Sequence, residues 1–185
     1  MEFNLTEEQR MIKNVIRDFA EGEVESGADE RDKTGEFPLE VFKKMAKLDL
    51  MGLPFPEEYG GAGADTISFA IVVEELSRVC ASTGITYSAH ISLGGAPINM
   101  FGTHEQKQKY LTPLARGEYL GAFGLTEPQA GSDAGGTRTI AVRDGDEWVL
   151  NGSKCYITNA SYAKALALTA VTDKSKGTSG ITAFI

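Results

Sequence analysis

RGEYLGAFGLTEPQAGSD, from Arg116 to Asp133, is where the hydrophobic pattern of the chain changes its period. Before it, apolar residues recur every three or four positions; after it, the runs are short, β-branched and bounded by glycine. That is the change from helix to strand. Leu120 to Leu125 is apolar and glycine-spaced, and it leads into a loop of small and hydroxyl-bearing residues. No bulky side chain there blocks approach to the backbone. N–H groups beside Thr126 and Ser132 can donate to carbonyls, ring nitrogens or phosphate oxygens of a flat polar ligand. The same composition between two strands also makes a plain turn, so the residues by themselves leave both readings open.

Upstream, helices are expected. Thr6 and Gln9 form a capping box, in which Thr6 accepts a backbone N–H and Gln9 reaches back. Met11, Val15 and Phe19, flanked by Ile12, Ile16 and Ala20, make one apolar stripe. A second helix opens with Pro38 at its first position and presents Val41, Phe42, Met45 and Leu48. Gly52 to Gly63 breaks the pattern. A third helix follows Asp65 or Thr66, with Phe69, Val72, Val73, Leu76 and Val79 inward. Residues 83–101 are helical but small-sided and interrupted near Gly94-Gly95-Ala96-Pro97, which predicts close approach by another helix or a ligand. Phe101-Gly102 ends that helix, and Thr103 to Gln106 is a second capping box.

Downstream, Thr137 to Arg143 reads as a strand. Trp148-Val149-Leu150 and Lys154-Cys155-Tyr156-Ile157 flank Asn151-Gly152, which predicts a tight hairpin turn with positive φ at both positions. Ala165 to Thr172 and Gly180 to Ile185 are two further strands. The expected fold class is α+β: an all-helical domain over residues 1–118, then the start of an antiparallel, barrel-like β-sheet domain over residues 119–185. Ala183-Phe184-Ile185 ends the chain within a strand, and so small a sheet leaves edges uncovered; this predicts a truncated chain.

Bulk properties exclude several classes. The 185 residues are 42% hydrophobic and 24% charged, a globular balance. The net charge of −8, with no local run of Lys or Arg, argues against nucleic acid as a partner. No apolar stretch approaches the ~20 residues needed to span a bilayer. Met1 to Asp18 is amphipathic and charged, unlike a signal peptide, which points to the cytoplasm or another reducing compartment. Cys80 and Cys155 stand far apart, in no metal-ligand spacing, and read as buried free thiols. His104 reads as a solvated first-turn residue, His90 as core, and Trp148 as packing on the sheet.

The Phe123 to Asp133 run resembles the signature of the acyl-CoA dehydrogenase family: an aromatic residue, then Leu-Thr-Glu-Pro, then Ala-Gly-Ser-Asp. Further blocks match in the same order, among them Glu57-Glu58-Tyr59-Gly60-Gly61, Glu74-Glu75-Leu76, Leu150-Asn151-Gly152 and Ile157-Thr158-Asn159. Phe123-Gly124-Leu125-Thr126 and Thr172 to Gly177 look most like short-chain, butyryl-CoA-type members of anaerobic bacteria.

The resemblance implies a subunit of three parts: N-terminal helices, a middle β-domain and a C-terminal four-helix bundle that this chain lacks. It implies FAD between the β-domain and the bundle, and a homotetramer in which a neighbouring subunit completes the adenosine site. Phe123, Leu125, Thr126, Gly131 and Ser132 would hold the flavin and its pyrophosphate. Tyr156, Ile157 and Thr158 would flank the ring, and Ser132 would also lie near the CoA of the substrate. The reaction implied is α,β-dehydrogenation of a short acyl-CoA, with an electron-transfer flavoprotein as acceptor. Other acyl groups (branched, glutaryl or medium-chain) are alternatives, as is a shortened non-catalytic paralogue that binds CoA or a protein. The resemblance puts the catalytic Glu beyond residue 185. No acid in this chain is assigned that role, Glu127 is expected to anchor the loop, and the chain alone is expected to be inactive. No metal is implied.

Overall fold

The computed structural model describes residues 4–185, so the first three residues of the amphipathic Met1–Asp18 stretch lie outside the described residues. Among the described residues eight α-helices come first, joined in places by tighter or wider helical turns: α1 (Glu7–Phe19), α2 (Ala28–Thr34), α3 (Leu39–Ala46), α4 (Thr66–Val79), α5 (Ala81–Ala89), α6 (Ala96–Phe101), α7 (His104–Gln106) and α8 (Thr112–Ala115). Five strands follow: β1 (Leu120–Gly124), β2 (Ile140–Asp144), β3 (Glu147–Asn151), β4 (Ala163–Val171) and β5 (Ile181–Phe184).

Both capping boxes form, at Thr6 with Gln9 and at Thr103 with Gln106. The Gln9 amide also donates to Asp65 at 2.7 Å, and Asp65 in turn caps α4 by accepting from Ser68 N. One polar chain therefore ties the starts of two packed helices. The apolar stripe of α1 divides in the structure. Ile16 and Ala20 are fully buried, whereas Met11 and Val15 are 63% and 52% exposed, because the contact with α4 is narrower than the apolar arc. Pro38 caps α3 instead of occupying its first turn. Between α1 and α4 lies Glu75, buried, with Arg17 Nη2 at 2.8 Å, Arg78 Nε at 3.2 Å and Lys13 Nζ at 3.4 Å. The Arg17 guanidinium, against the opposing effect of burial, holds the Glu75 carboxyl down at about 2.

The sheet runs β1-β4-β2-β3, with β5 also on β4. It is mixed where antiparallel pairing was expected: β1 pairs with β4 in parallel, from Leu120↔Ala163 to Gly124↔Leu168, and β2 meets β4 in parallel at Ile140↔Val171. The hairpin also lies elsewhere than expected. It joins β2 to β3 through Gly145-Asp146, pairing Asp144 with Glu147, and Gly145 takes φ 59°. Asn151 ends β3, and neither it nor Gly152 has positive φ. Lys154 to Ile157 is accordingly no strand but part of an irregular segment before β4.

The helices meet the sheet at β1. Residues 81–101 run on through a wide turn, His90–Gly95, where a clean interruption was expected. A Cβ on Gly94 would lie 2.6 Å from the Gly121 carbonyl carbon, so the small residues admit a strand backbone there. His90 is fully buried, and burial pushes its pKa down to about 4. As the neutral imidazole it donates from Nε2 to Met51 O at 2.9 Å and accepts at Nδ1 from Gly121 N at 3.0 Å. Asn159 Nδ2 donates to Thr86 O at 3.1 Å and Gly121 O at 3.2 Å, fixing the irregular segment to the same seam.

Candidate functional site

The site grows from the carboxyl end of β1. Phe123 is half-buried on the strand, and Leu125 and Thr126 are half-buried just past it. Glu127 then turns inward and is 3% exposed. Its Oε1 accepts from Lys154 Nζ at 2.8 Å, Thr139 N at 3.0 Å and the Thr137 hydroxyl. Its Oε2 accepts from Arg138 N at 2.7 Å and Gln129 Nε2 at 2.5 Å. Burial raises the pKa of a carboxyl, but here the Lys154 ammonium and the Thr137 and Thr139 hydrogen bonds outweigh it and hold Glu127 well below the usual carboxylate range. Glu127 is an anchor, not a free acid or base.

The loop that follows is closed by its own backbone, Glu127 N to Ala130 O at 3.0 Å and Ala130 N to Glu127 O at 3.1 Å. It carries Gly131 and Ser132 exposed to solvent. The irregular segment lies beside it, joined by Cys155 N to Thr126 O at 2.9 Å. That bond sets Tyr156, Ile157 and Thr158 next to the strand exit. Tyr156 is 94% exposed with φ 56°, a left-handed conformation that a bulky residue adopts at a cost of about 1–3 kcal/mol.

Several groups here are spare. The hydroxyls of Thr126, Ser132 and Thr158 and the N–H groups of Gly131 and Ser132 make no hydrogen bond among the described residues. A Cβ at Gly131 would meet nothing within 4 Å. Spare donors and hydroxyls on these adjoining segments suit a ligand with carbonyl, ring-nitrogen and phosphate acceptors.

Lys154, Thr137, Thr139 and Asn159 belong to the site's framework; of these the sequence marks only Asn159, as part of the Ile157-Thr158-Asn159 block, and gives none of their partners. Each acts through a partner ten or more residues away, which no local pattern signals. His104 is exposed, with Nδ1 3.1 Å from the Tyr59 hydroxyl, and Trp148 packs edge-on to Phe184 at 5.5 Å. Cys80 and Cys155 are free thiols, half-buried where full burial was expected. A cleft of about 580 Å³ lies elsewhere, between the Pro97–Tyr110 helices and β5, and none of the predicted site residues lines it.

Comparison with known proteins gives two family matches: the acyl-CoA dehydrogenase N-terminal domain over residues 6–118 and the acyl-CoA dehydrogenase middle domain over residues 122–185. A probable acyl-CoA dehydrogenase of Bacillus subtilis is 60% identical over 95% of this chain and 46% of its own length. A short-chain specific acyl-CoA dehydrogenase of Clostridium acetobutylicum is 55% identical over all of this chain and 49% of its own. The chain thus spans about half the length of the curated relatives it matches.

Among solved structures, a chain from work on the electron transferring flavoprotein of Acidaminococcus fermentans matches at TM-score 0.97 and 52% identity, over 100% of this chain and 48% of that one. Butyryl-CoA dehydrogenase from Megasphaera elsdenii matches at 0.94 and 46%, over 100% and 49%. An acyl-CoA dehydrogenase from Bacillus anthracis complexed with FAD matches at 0.86 and 40%, over 91% and 29%.

Proposed function

The chain belongs to the acyl-CoA dehydrogenase family, and on that premise we propose that its protein is an FAD-dependent oxidoreductase of short-chain acyl-CoA thioesters. In this reading it converts a butyryl-CoA-like substrate to the trans-2-enoyl-CoA, a step of fatty acid β-oxidation. The observation that carries the reading is the set of spare hydroxyls and N–H groups at Thr126, Gly131, Ser132 and Thr158 around one open loop. Phe123, Leu125, Thr126, Gly131 and Ser132 would hold the cofactor's ring and pyrophosphate. Tyr156, Ile157 and Thr158 would flank the ring, and Ser132 would reach the CoA as well. Bound FAD supplies the hydride acceptor; the protein supplies position, hydrogen bonds and a proton acceptor.

That proton acceptor is not Glu127, whose two oxygens already take five donors, one of them an ammonium. We therefore read this chain by itself as inactive, with the base supplied from outside it. The short-chain relatives in Clostridium and Megasphaera support the substrate class. The Acidaminococcus likeness supports an electron-transfer flavoprotein as partner. A cytoplasmic homotetramer completes the reading, and no helix among the described residues is long and apolar enough to cross a membrane.

The test is the visible spectrum with FAD, before and after anaerobic butyryl-CoA, for this chain and for the product of its whole reading frame. Bound flavin that bleaches only in the whole product is the expected result. Bleaching in the 185-residue chain would place a base within it. No flavin binding by the whole product would end the proposal.

A further inference from the structure

Two features of the site stand apart from the spare groups that would touch a cofactor. First, Glu127 opens the loop and Thr137, Arg138 and Thr139 close it, so one carboxylate grips both ends of its neck. Second, the Lys154 ammonium meets four oxygens: Leu125 O at 3.1 Å, Glu127 Oε1 at 2.8 Å, Thr137 Oγ1 at 3.2 Å and, at the limit of hydrogen-bond distance, Thr169 Oγ1 at 3.5 Å. An ammonium has three donors, and the three shorter contacts use all of them. The Lys154 side chain is 10% exposed and that of Glu127 is 2% exposed. Neither charge has water to fall back on, so loss of one partner leaves the other buried and unpaired.

We propose that Lys154 and Glu127 form a clip that sets the spacing of the two cofactor-facing segments, making Lys154 a positioning residue for the flavin. The inference rests on the functional reading above and deepens it. Lys154 holds the strand exit that bears Leu125 and Thr126, and the neck of the loop that bears Gly131 and Ser132. Its neighbour Cys155 binds Thr126 O at 2.9 Å, so the same short stretch carries Tyr156, Ile157 and Thr158 into place. Apart from Leu120 and Val171 at the strand ends, the side chains buried on the strands alongside, Ala122, Ala165, Ala167 and Ala170, are small, so apolar packing does little there to fix this spacing. A polar clip does so instead, and only a cation of this reach meets the carbonyl, the carboxylate and the hydroxyl together.

The experiment uses the product of the whole reading frame as wild type, Lys154→Met, Lys154→Arg and Glu127→Gln. FAD affinity is read from quenching of flavin fluorescence, and amide hydrogen exchange from residues 128–136 and 156–158. Lys154→Met is expected to weaken FAD binding at least about tenfold and to speed exchange in both segments, with or without FAD. Lys154→Arg should recover much of both, because it keeps the charge. A folded Lys154→Met protein with FAD affinity within about twofold of wild type and unchanged exchange overturns the clip, even if its melting temperature falls. Should Lys154→Met fail to fold, the isosteric Glu127→Gln protein is read by the same two criteria. If the wild-type protein itself binds no FAD, the functional reading fails and takes the flavin clause with it, while the exchange comparison still decides whether the clip orders the loop.

Discussion

Between Ile16 and Leu120 the buried side chains are large: Met45, Phe55, Leu76, Tyr87, Ile98 and Leu114 interlock as one apolar cluster. Between Ala122 and Val171 the buried apolar side chains are alanine, at positions 122, 130, 141, 165, 167 and 170, save Val171, while Val142, Trp148 and Val149 are exposed. The two regions solve different problems. Large side chains give the helices their burial free energy, at roughly 25 cal/mol for each Å² of apolar surface. Alanine gives the sheet little of that, but it lets backbones and polar side chains come close. The sheet is accordingly located by hydrogen bonds: His90 to Gly121, Asn159 to Thr86 and Gly121, and Lys154 to Glu127. A region that must receive a flat cofactor gains from being thin and exactingly placed; a region that supports it gains from bulk.

The sharpest way to break this contrast is to remove side-chain volume from each region and compare. Leu76→Ala should cost about 2–5 kcal/mol in urea unfolding, the usual range for a fully buried leucine. Ala167→Gly, equally central in its sheet, should cost about 1 kcal/mol or less. Equal losses would mean that the sheet, too, is held mainly by packing.

A second test uses acid, because His90 at the seam and the buried carboxylates Glu75 and Glu127 titrate in different windows. The folded-state pKa of His90, about 4, lies below its ordinary value of 6.5, so the unfolded chain takes up the proton first as pH falls. The stability tied to neutral His90 is therefore full above pH 6.5 and declines toward pH 4, by at most about 1.4 kcal/mol for each pH unit. Glu75, held at about 2 against an ordinary 4.5, contributes stability above pH 4.5 that fades toward pH 2. His90→Gln should erase the upper limb of a pH–stability curve and leave the lower one. Survival of the upper limb in that variant would assign it to some other group.

The smallest expected effects concern the turns. Gly145→Ala meets no neighbour within 4 Å but forces a side chain onto φ 59°, which should cost about 1 kcal/mol. Asn151→Ala should stay within about 0.5 kcal/mol, since Asn151 is an exposed strand end. The reverse order would restore the hairpin to Asn151-Gly152.

That misplaced hairpin marks the limit of what the sequence made legible. Both capping boxes, the start of α4, the helix-to-strand change and all five strands rest on neighbours within a few residues, and each could be read directly. Gly145-Asp146 and Asn151-Gly152 are both two-residue hairpin signals, and only the pairing of β2 with β3 chooses between them. The parallel contact of β1 with β4 is a matter of distant pairing too. At the site, Phe123, Thr126 and Ser132 lie in one recognisable run, whereas Lys154 is invisible as a partner because its carboxylate sits 27 residues away. The division of the α1 stripe has the same cause: Met11 and Val15 are as apolar as Ile16, and only the width of the neighbouring helix contact leaves them outside.

The parallel register of β1 with β4 has a consequence for the order of assembly. As the chain is synthesised, Leu120–Gly124 emerges well before Ala163–Leu168, the stretch with which it pairs. Long-range parallel pairing is slow to form, and an unpaired strand is a hazard in the meantime. His90 and Gly94, already present on the preceding helix, offer β1 a hydrogen-bond acceptor at Gly121 and a close backbone seat before β4 exists. The helical half can thus act as a jig during translation, shielding one face of the nascent strand until its permanent partner arrives.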